Sequence, residues 1–213
     1  MAKLVIGTDK TVGVPAVVKE VVQVEKYPLL GRVKDDTNKD IGCVVGYHTD
    51  ANNVKYAVVC LNKEFRKNTT FQWLSGLTTV PGVPNAMPVS GLNASTTATA
   101  ACDAIVALAP DYTSAAVTEC RSHSFVIDGT TYYGQMPTLR ELMFVFLNFN
   151  YLNNNDPSAS GPALSNGNTP WAANQGASGY AGAIYSPFNS FLLTTLTMTQ
   201  SNYVYPILEI PIV

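Results

Sequence analysis

Apolar and polar positions along this chain fall into a few distinct rhythms. The stretch 41–61 holds two β-rich apolar runs, IGCVVGYH and VKYAVVCL, separated by the polar cluster TDANN. Such a pair predicts a β-hairpin. A second hairpin is predicted over 123–133, HSFVIDGTTYY, where Asp128-Gly129 supplies the residues a type I′ turn needs. Between them, 94–109 places Ala101, Ile105 and Leu108 on one helical face and ends at Pro110. The Ala-rich segment DYTSAAVTECRS that follows predicts a further helical turn or two. Thr138 then precedes Glu141 by three positions at the head of an apolar run with helical spacing: Leu139, Leu142, Met143, Phe146. This is the capping-box pattern of a helix start, with an acid where the helix dipole favours one.

Three β-rich runs close the chain, at 181–186, 190–199 and 203–213. The middle one alternates poorly, which predicts burial on both faces. Residues 68–88 read as a proline-containing loop anchored by Phe71, Trp73 and Leu74. Residues 151–180 read as a long Asn, Gly, Ser and Pro-rich loop carrying Trp171. The first 30 residues are set apart. Their Val-rich stretch between Pro15 and Pro28 fits a strand or a helix face equally well. It is too short to bury its own apolar side chains and must pack on the body, a sister subunit or another protein. The expected architecture is α+β: an extended arm over 1–30, then a body over 31–213 of two short helices within largely antiparallel strands.

Composition sharpens this picture. Apolar residues make up 46% of the 213, enough for a core. Charged residues make up only 13%, about half the usual share. Eleven of the 13 Lys and Arg lie within residues 1–67, balanced there by eight acids. After Leu142 only Asp156 and Glu209 carry charge. A net charge of -2 without a basic cluster argues against a nucleic-acid partner. The charge-poor second half leaves much surface without mutual repulsion, which predicts a homo-oligomer. The apolar run at the N-terminus is too short for a signal-peptide core, and no stretch has the length of a membrane span. Synthesis in a cytoplasm without membrane insertion is expected.

Candidate chemistry is sparse. Cys43, Cys60, Cys102 and Cys120 show no CxxC spacing, so neither a zinc site nor a redox dithiol is expected. Cys43 and Cys60 read as small core residues; Cys102 and Cys120 can pair only if their segments lie side by side. Glu141 is the one carboxylate in its apolar run. A general acid needs a second carboxylate, a His or a metal, and none lies near it in sequence, so capping is the expected role. His48 and His123 are the only histidines. Cys120 and His123 are three residues apart, but no group to orient them is evident. The sequence thus predicts no catalytic residues, no metal and no cofactor. Trp171, Asn174, Gln175 and Tyr180 form the one candidate binding set. An aromatic face with amide side chains suits a neutral glycan, although a packed, structural Trp171 is the stronger expectation.

The order of these landmarks carries a resemblance. GQMPTLREL at 134–142, NTPWAANQ at 168–175 and the terminal VYPIL follow the first hairpin, the Ala/Thr-rich helix and the segment CRSHS. The set resembles the Fibrobacter-paralogous and DUF1566-like branch of the C-type-lectin-like fold over about residues 38–213. That branch commonly has a Leu-Pro-Thr/Ser-x-x-Glu-Leu helix start, a Trp-Ser/Thr-Ser segment and a closing Val/Arg-Pro-Val strand. Met136 stands where Leu is usual, and WAANQ replaces the usual Trp-Ser-Ser-Thr-Glu. The calcium motifs of true C-type lectins are missing, as is the cysteine pair of formylglycine-generating enzymes. The start MAKLVIGTDKTVGVPAVV is similar to the arms of virion proteins from crAss-like phages of Bacteroides. Together the resemblances imply a non-enzymatic head fibre or capsid decoration protein at the virion surface, attached to the capsid protein by its arm and, as phage fibres commonly are, a trimer. The alternative is a receptor- or glycan-binding adhesin that meets host surface glycans through the 151–180 loop.

Overall fold

Both faces of the first hairpin are apolar, and the fold is organised around covering them. The computed structural model describes residues 26–85, 95–165, 168–176, 179–185 and 192–212. Residues 1–25, most of the expected arm, lie outside the described residues. Strands β1 (Arg32–Lys34), β2 (Asp40–Thr49) and β3 (Lys55–Leu61) are followed by the short β4 (Phe71–Gln72). Helices α1 (Ala98–Val106) and α2 (Ala115–Arg121) precede the hairpin β5 (Ser124–Ile127) and β6 (Thr130–Tyr133). Helices α3 (Leu139–Leu147) and α4 (Phe149–Asn155) come next. Strands β7 (Trp171–Gln175), β8 (Tyr180–Tyr185), β9 (Leu192–Thr197), β10 (Ser201–Asn202) and β11 (Ile207–Ile212) complete the chain.

The main sheet is antiparallel with order β1-β2-β3-β11, so the last strand adds to the edge of the first hairpin. A second antiparallel sheet has order β7-β8-β9. Period-two alternation sorts the side chains of the main sheet. Cys43, Val45, Val58, Cys60 and Ile207 face α3, where they meet Leu139, Leu142, Val145 and Phe146. Val44, Ala57, Val59, Leu61, Leu208 and Ile210 face the other way, towards Phe125 and Ile127 of the β5–β6 hairpin. A third cluster joins α1 and α2 to the β7-β8-β9 sheet, with Trp73, Trp171, Ile105, Val117 and Met136 all sealed from solvent.

Local signals explain most elements. Helix α1 starts where the Thr97 hydroxyl accepts from the Ala100 N–H, and α2 where Ser114 accepts from Val117. At the tip of the β5–β6 hairpin Asp128 and Gly129 take φ of 52° and 74°, as a type I′ turn demands. That tip also receives the incoming chain: Tyr27 Oη donates to Asp128 at 2.9 Å, and Tyr47 Oη donates to the Tyr27 carbonyl at 2.6 Å. Residues 26–30 therefore already pack on the body. On the opposite face, α3 lies close on a β-bulge between Val44 and Gly46. A Cβ at Gly46 would sit 2.6 Å from the Phe144 ring, so the missing side chain is what lets the helix approach.

The α+β expectation holds, with three differences of detail. Among the described residues four α-helices are present rather than two; one of the additions is α4, whose residues 151–155 fall where a polar loop was expected. Its Asn-rich sequence is a weak helix former, but Leu152 is buried and the Asn155 side chain donates to the Tyr151 carbonyl. The 151–180 stretch is not one loop either, since it contains β7. Finally, residues 194–197 of β9 are half-buried rather than buried on both faces. Among the described residues they belong to an edge strand, paired with β8 alone in its sheet.

Adjacent residues of α3 should respond to truncation in opposite ways. Phe146 is 2% exposed and Leu147 66%. Phe146→Ala should cost about 3–5 kcal/mol in urea unfolding, whereas Leu147→Ala should stay within about 0.5 kcal/mol of the parent.

Candidate functional site

The pattern that gives Glu209 its place also buries it. On β11, Leu208 and Ile210 point to the hairpin side of the main sheet, so Glu209 points to the helix side with Ile207. There it meets two other ionisable groups. Glu209 Oε1 lies 2.8 Å from His48 Nε2, and Glu141 Oε1 lies 3.2 Å from the same nitrogen. All three side chains are at most 1% exposed. His48 comes from the end of β2, where its ring stacks on Tyr56 with centroids 5.2 Å apart. Glu141 comes from the first turn of α3.

Each carboxylate has fixed partners. Glu209 accepts from the backbone N–H of Ala98 and of Thr99, each at 2.8 Å, and from the Thr99 hydroxyl at 2.7 Å. These N–H groups are the unpaired donors of the first turn of α1, so a strand residue caps a helix from 110 positions away. Glu141 Oε2 accepts from the Thr138 N–H at 2.8 Å, the expected half of the capping box. The Thr138 hydroxyl takes the reciprocal place over the Glu141 N–H without reaching good hydrogen-bond geometry.

The two acids titrate in opposite directions. Burial pushes the Glu141 carboxyl well above the usual range, and the neighbouring Glu209 charge and hydrogen bond push it further. Burial alone would also raise Glu209. Hydrogen bonds from His48, Glu141 and Thr99 outweigh it and hold the group below its ordinary value. Glu141 is therefore the protonated member and Glu209 the anion, the outcome expected when two carboxyls share one low-dielectric site.

One donor atom from each of the three lies within 4.8 Å of the others, a spacing a divalent ion could bridge. The donor set does not fit one well. The Glu209 oxygens are taken up by His48, the Ala98 and Thr99 N–H groups and the Thr99 hydroxyl, besides Glu141. One Glu141 oxygen is fixed by Thr138. His48 Nδ1 is buried without a partner, where a metal-bound imidazole is normally held by a hydrogen bond at its second nitrogen. A proton held between two acids accounts for the cluster, and no metal is needed.

The expectation that Glu141 stands without a second acid or a His is corrected: the fold brings it both. Glu209 left a signal in the sequence, as one of two charges after Leu142 and the only one within an apolar strand. A lone acid on an apolar strand and a lone acid on an apolar helix are natural partners once both must be buried. His48 gave no such signal, since it reads as the start of a polar turn.

The other candidates are placed differently. Trp171, Asn174 and Gln175 are 0%, 0% and 6% exposed, and their polar atoms serve the fold. Trp171 Nε1 donates to the Phe71 carbonyl at 2.7 Å. Asn174 Oδ1 accepts from the Leu139 N–H at 2.7 Å, which links β7 to the first turn of α3. Gln175 bonds in both directions to the Val80 backbone, at 2.8 Å each way. Tyr180 is 45% exposed. The candidate set is therefore divided: β7 turns its three members inward, with Trp171 packed as the stronger expectation had it, and Tyr180 alone of the four reaches solvent. Cys120 is buried and its thiol is raised well above the ordinary value by burial. His123 is lowered by its own burial, and its Nε2 lies 3.6 Å from Glu119. All four cysteines are free and buried, and Cys102 is pushed up to about 12. Among the described residues, no helix is long and apolar enough to cross a membrane.

No protein-family model, curated protein or solved structure matches this chain.

The buried acids predict an asymmetric response to amide substitution. Glu141→Gln keeps an acceptor for Thr138 and a donor for Glu209 and should cost under about 1.5 kcal/mol near pH 7. Glu209→Gln leaves donors aimed at a charge that is gone and should cost roughly 3–5 kcal/mol. The pH dependence follows from the directions. A raised carboxyl such as Glu141 adds stability below its unfolded value of about 4.3 and loses it as pH rises towards the folded value. A lowered one such as Glu209 adds stability above about 4.3 and loses it in acid. Urea unfolding from pH 5 to 9 should therefore fall less steeply for Glu141→Gln than for the parent. Parallel curves would place the proton elsewhere.

Proposed function

We propose that this chain is a structural protein of a bacteriophage virion, a head fibre or capsid decoration protein. Its body is read as a C-type-lectin-like domain, and its first 30 residues as the segment that attaches it to the capsid protein. The observation that carries the reading is the use the fold makes of its landmark residues. Glu141 of the Pro-Thr-x-x-Glu-Leu helix start, Trp171 of the WAANQ segment and the strand after the Val-Tyr-Pro motif all converge on one buried frame. The terminal strand returns to the first hairpin, four helices lie between the two in sequence, and a small antiparallel sheet carries the tryptophan. That order supports the lectin-like reading.

The residues that sequence alone would nominate for chemistry are engaged in this frame. Glu141 and His48 are sealed inside, and Cys120 is a buried thiol. Such an arrangement suits a body that must be rigid and displayed. A receptor- or glycan-binding role would sit on that same displayed body.

Deleting residues 1–20 should leave a folded body with an unchanged circular dichroism spectrum that no longer co-sediments with capsids. Continued decoration of particles by the truncated protein would remove the anchoring role. The low charge of the second half supports self-association, and the fibre reading makes the oligomer a trimer. Light scattering coupled to gel filtration at micromolar concentration should give three times the 22.8 kDa chain mass, and a monomer would overturn that assembly.

A further inference from the structure

A pocket of about 340 Å³ opens beside the buried acids, lined by Thr99, Asp103, Arg121, Tyr133 and Gln135. It is unrelated to the Trp171 segment. It lies where α1, α2 and the end of β6 meet, and its volume is in the range of small-molecule sites. Its polar groups are held in place from behind. Arg121 Nε donates to Gln135 Oε1 at 3.1 Å, and Arg121 Nη2 to Asp103 Oδ1 at 2.5 Å. Gln135 is 5% exposed, and its side-chain amide also donates to the Tyr133 carbonyl at 3.1 Å. Its backbone exchanges both hydrogen bonds with Ile207 of β11, at 2.8 and 3.0 Å. The Thr99 hydroxyl is fixed on Glu209. Tyr133, by contrast, is 54% exposed, and the Asp103 side chain 64%.

We propose that this pocket binds one neutral hexose unit of a glycan. The lining has one cation and one anion, already paired, so it presents no net charge to a ligand. A charged ligand would have to break that pair, whereas a pyranose can use it. One Asp103 oxygen accepts from one ring hydroxyl, and Arg121 donates to its neighbour. Arg121 and Asp103 thus offer a donor and an acceptor side by side, as two adjacent hydroxyls require. Tyr133 is the only aromatic ring among the lining residues, and an aromatic face suits the C–H side of a pyranose. Because Gln135 ties Arg121 to β11, the polar groups are held in register before the sugar arrives, which lowers the ordering cost of binding. The inference rests on the body being displayed to an outside ligand.

The test is saturation-transfer NMR on the full-length protein with methyl α-glycosides of glucose, galactose and mannose. At least one should bind with Kd of about 1 mM, the strength expected for a ligand of this size. Tyr133→Ala should weaken it at least about tenfold and Asp103→Asn by about fivefold. Both substitute exposed side chains, and an unchanged melting temperature verifies the fold. Three results would overturn the proposal: no transfer to any of the three glycosides, binding that Tyr133→Ala leaves intact, or binding of methyl glucuronide alone. The capsid assay separates this from the virion reading. Tyr133→Ala should still decorate particles, and the arm deletion should still bind the glycoside.

Discussion

One carboxylate ties the parts of this fold together. Glu209 sits on the last strand and takes hydrogen bonds from the first turn of α1, from His48 at the end of β2 and from Glu141 at the head of α3. Four elements far apart in sequence are thus fixed by a single side chain. The helix contribution is the most directional. An α-helix leaves its first N–H groups unpaired, and the positive end of its dipole favours an anion. Most helices answer this with a local Ser, Thr or Asp. Here Thr97 satisfies only the Ala100 N–H, and the donors of Ala98 and Thr99 are answered from β11. The position of α1 against the main sheet is thereby specified by geometry as well as by apolar contact.

A buried ion is costly, and the surroundings show how that cost is offset. An isolated carboxylate in a protein interior would neutralise itself. Glu209 stays charged because several donors meet it. Glu141, with fewer, takes up the proton instead. The division follows from unequal hydrogen bonding of two chemically identical groups. It also explains why the sheet can carry an acid among Leu208, Ile207 and Ile210 without loss of the strand.

Much of this frame is legible in the sequence. The hairpin at 41–61, the type I′ turn at Asp128-Gly129, α1 with Ile105 on its inner face and the capped start of α3 follow from local signals: alternation, turn chemistry and spacing. What escaped the sequence depends on tertiary contact. The segment 171–175 reads as part of a polar loop because Asn and Gln are ordinary loop residues. It forms a buried strand because each of those amides finds backbone partners on α3 or on the 80–85 loop. The His48–Glu141–Glu209 cluster spans 161 positions, and no spacing rule reaches so far. Only the scarcity of charge in the second half of the chain pointed to Glu209, as an acid that needed an explanation.

The pairing of β11 with β3 sets a condition on when the molecule can form. Ile207 lies opposite Cys60 and Ile212 opposite Lys55, so the main sheet gains its fourth strand from residues translated some 150 positions after the hairpin it joins. Until then one edge of β3 is open, the helix side of the sheet lacks Ile207, and the Ala98 and Thr99 N–H groups of α1 lack Glu209. During synthesis the early hairpin must wait with much of its apolar surface uncovered, a state that invites chaperone binding. Chains cut short before β11 keep that open edge, an exposed template for strand pairing with another chain.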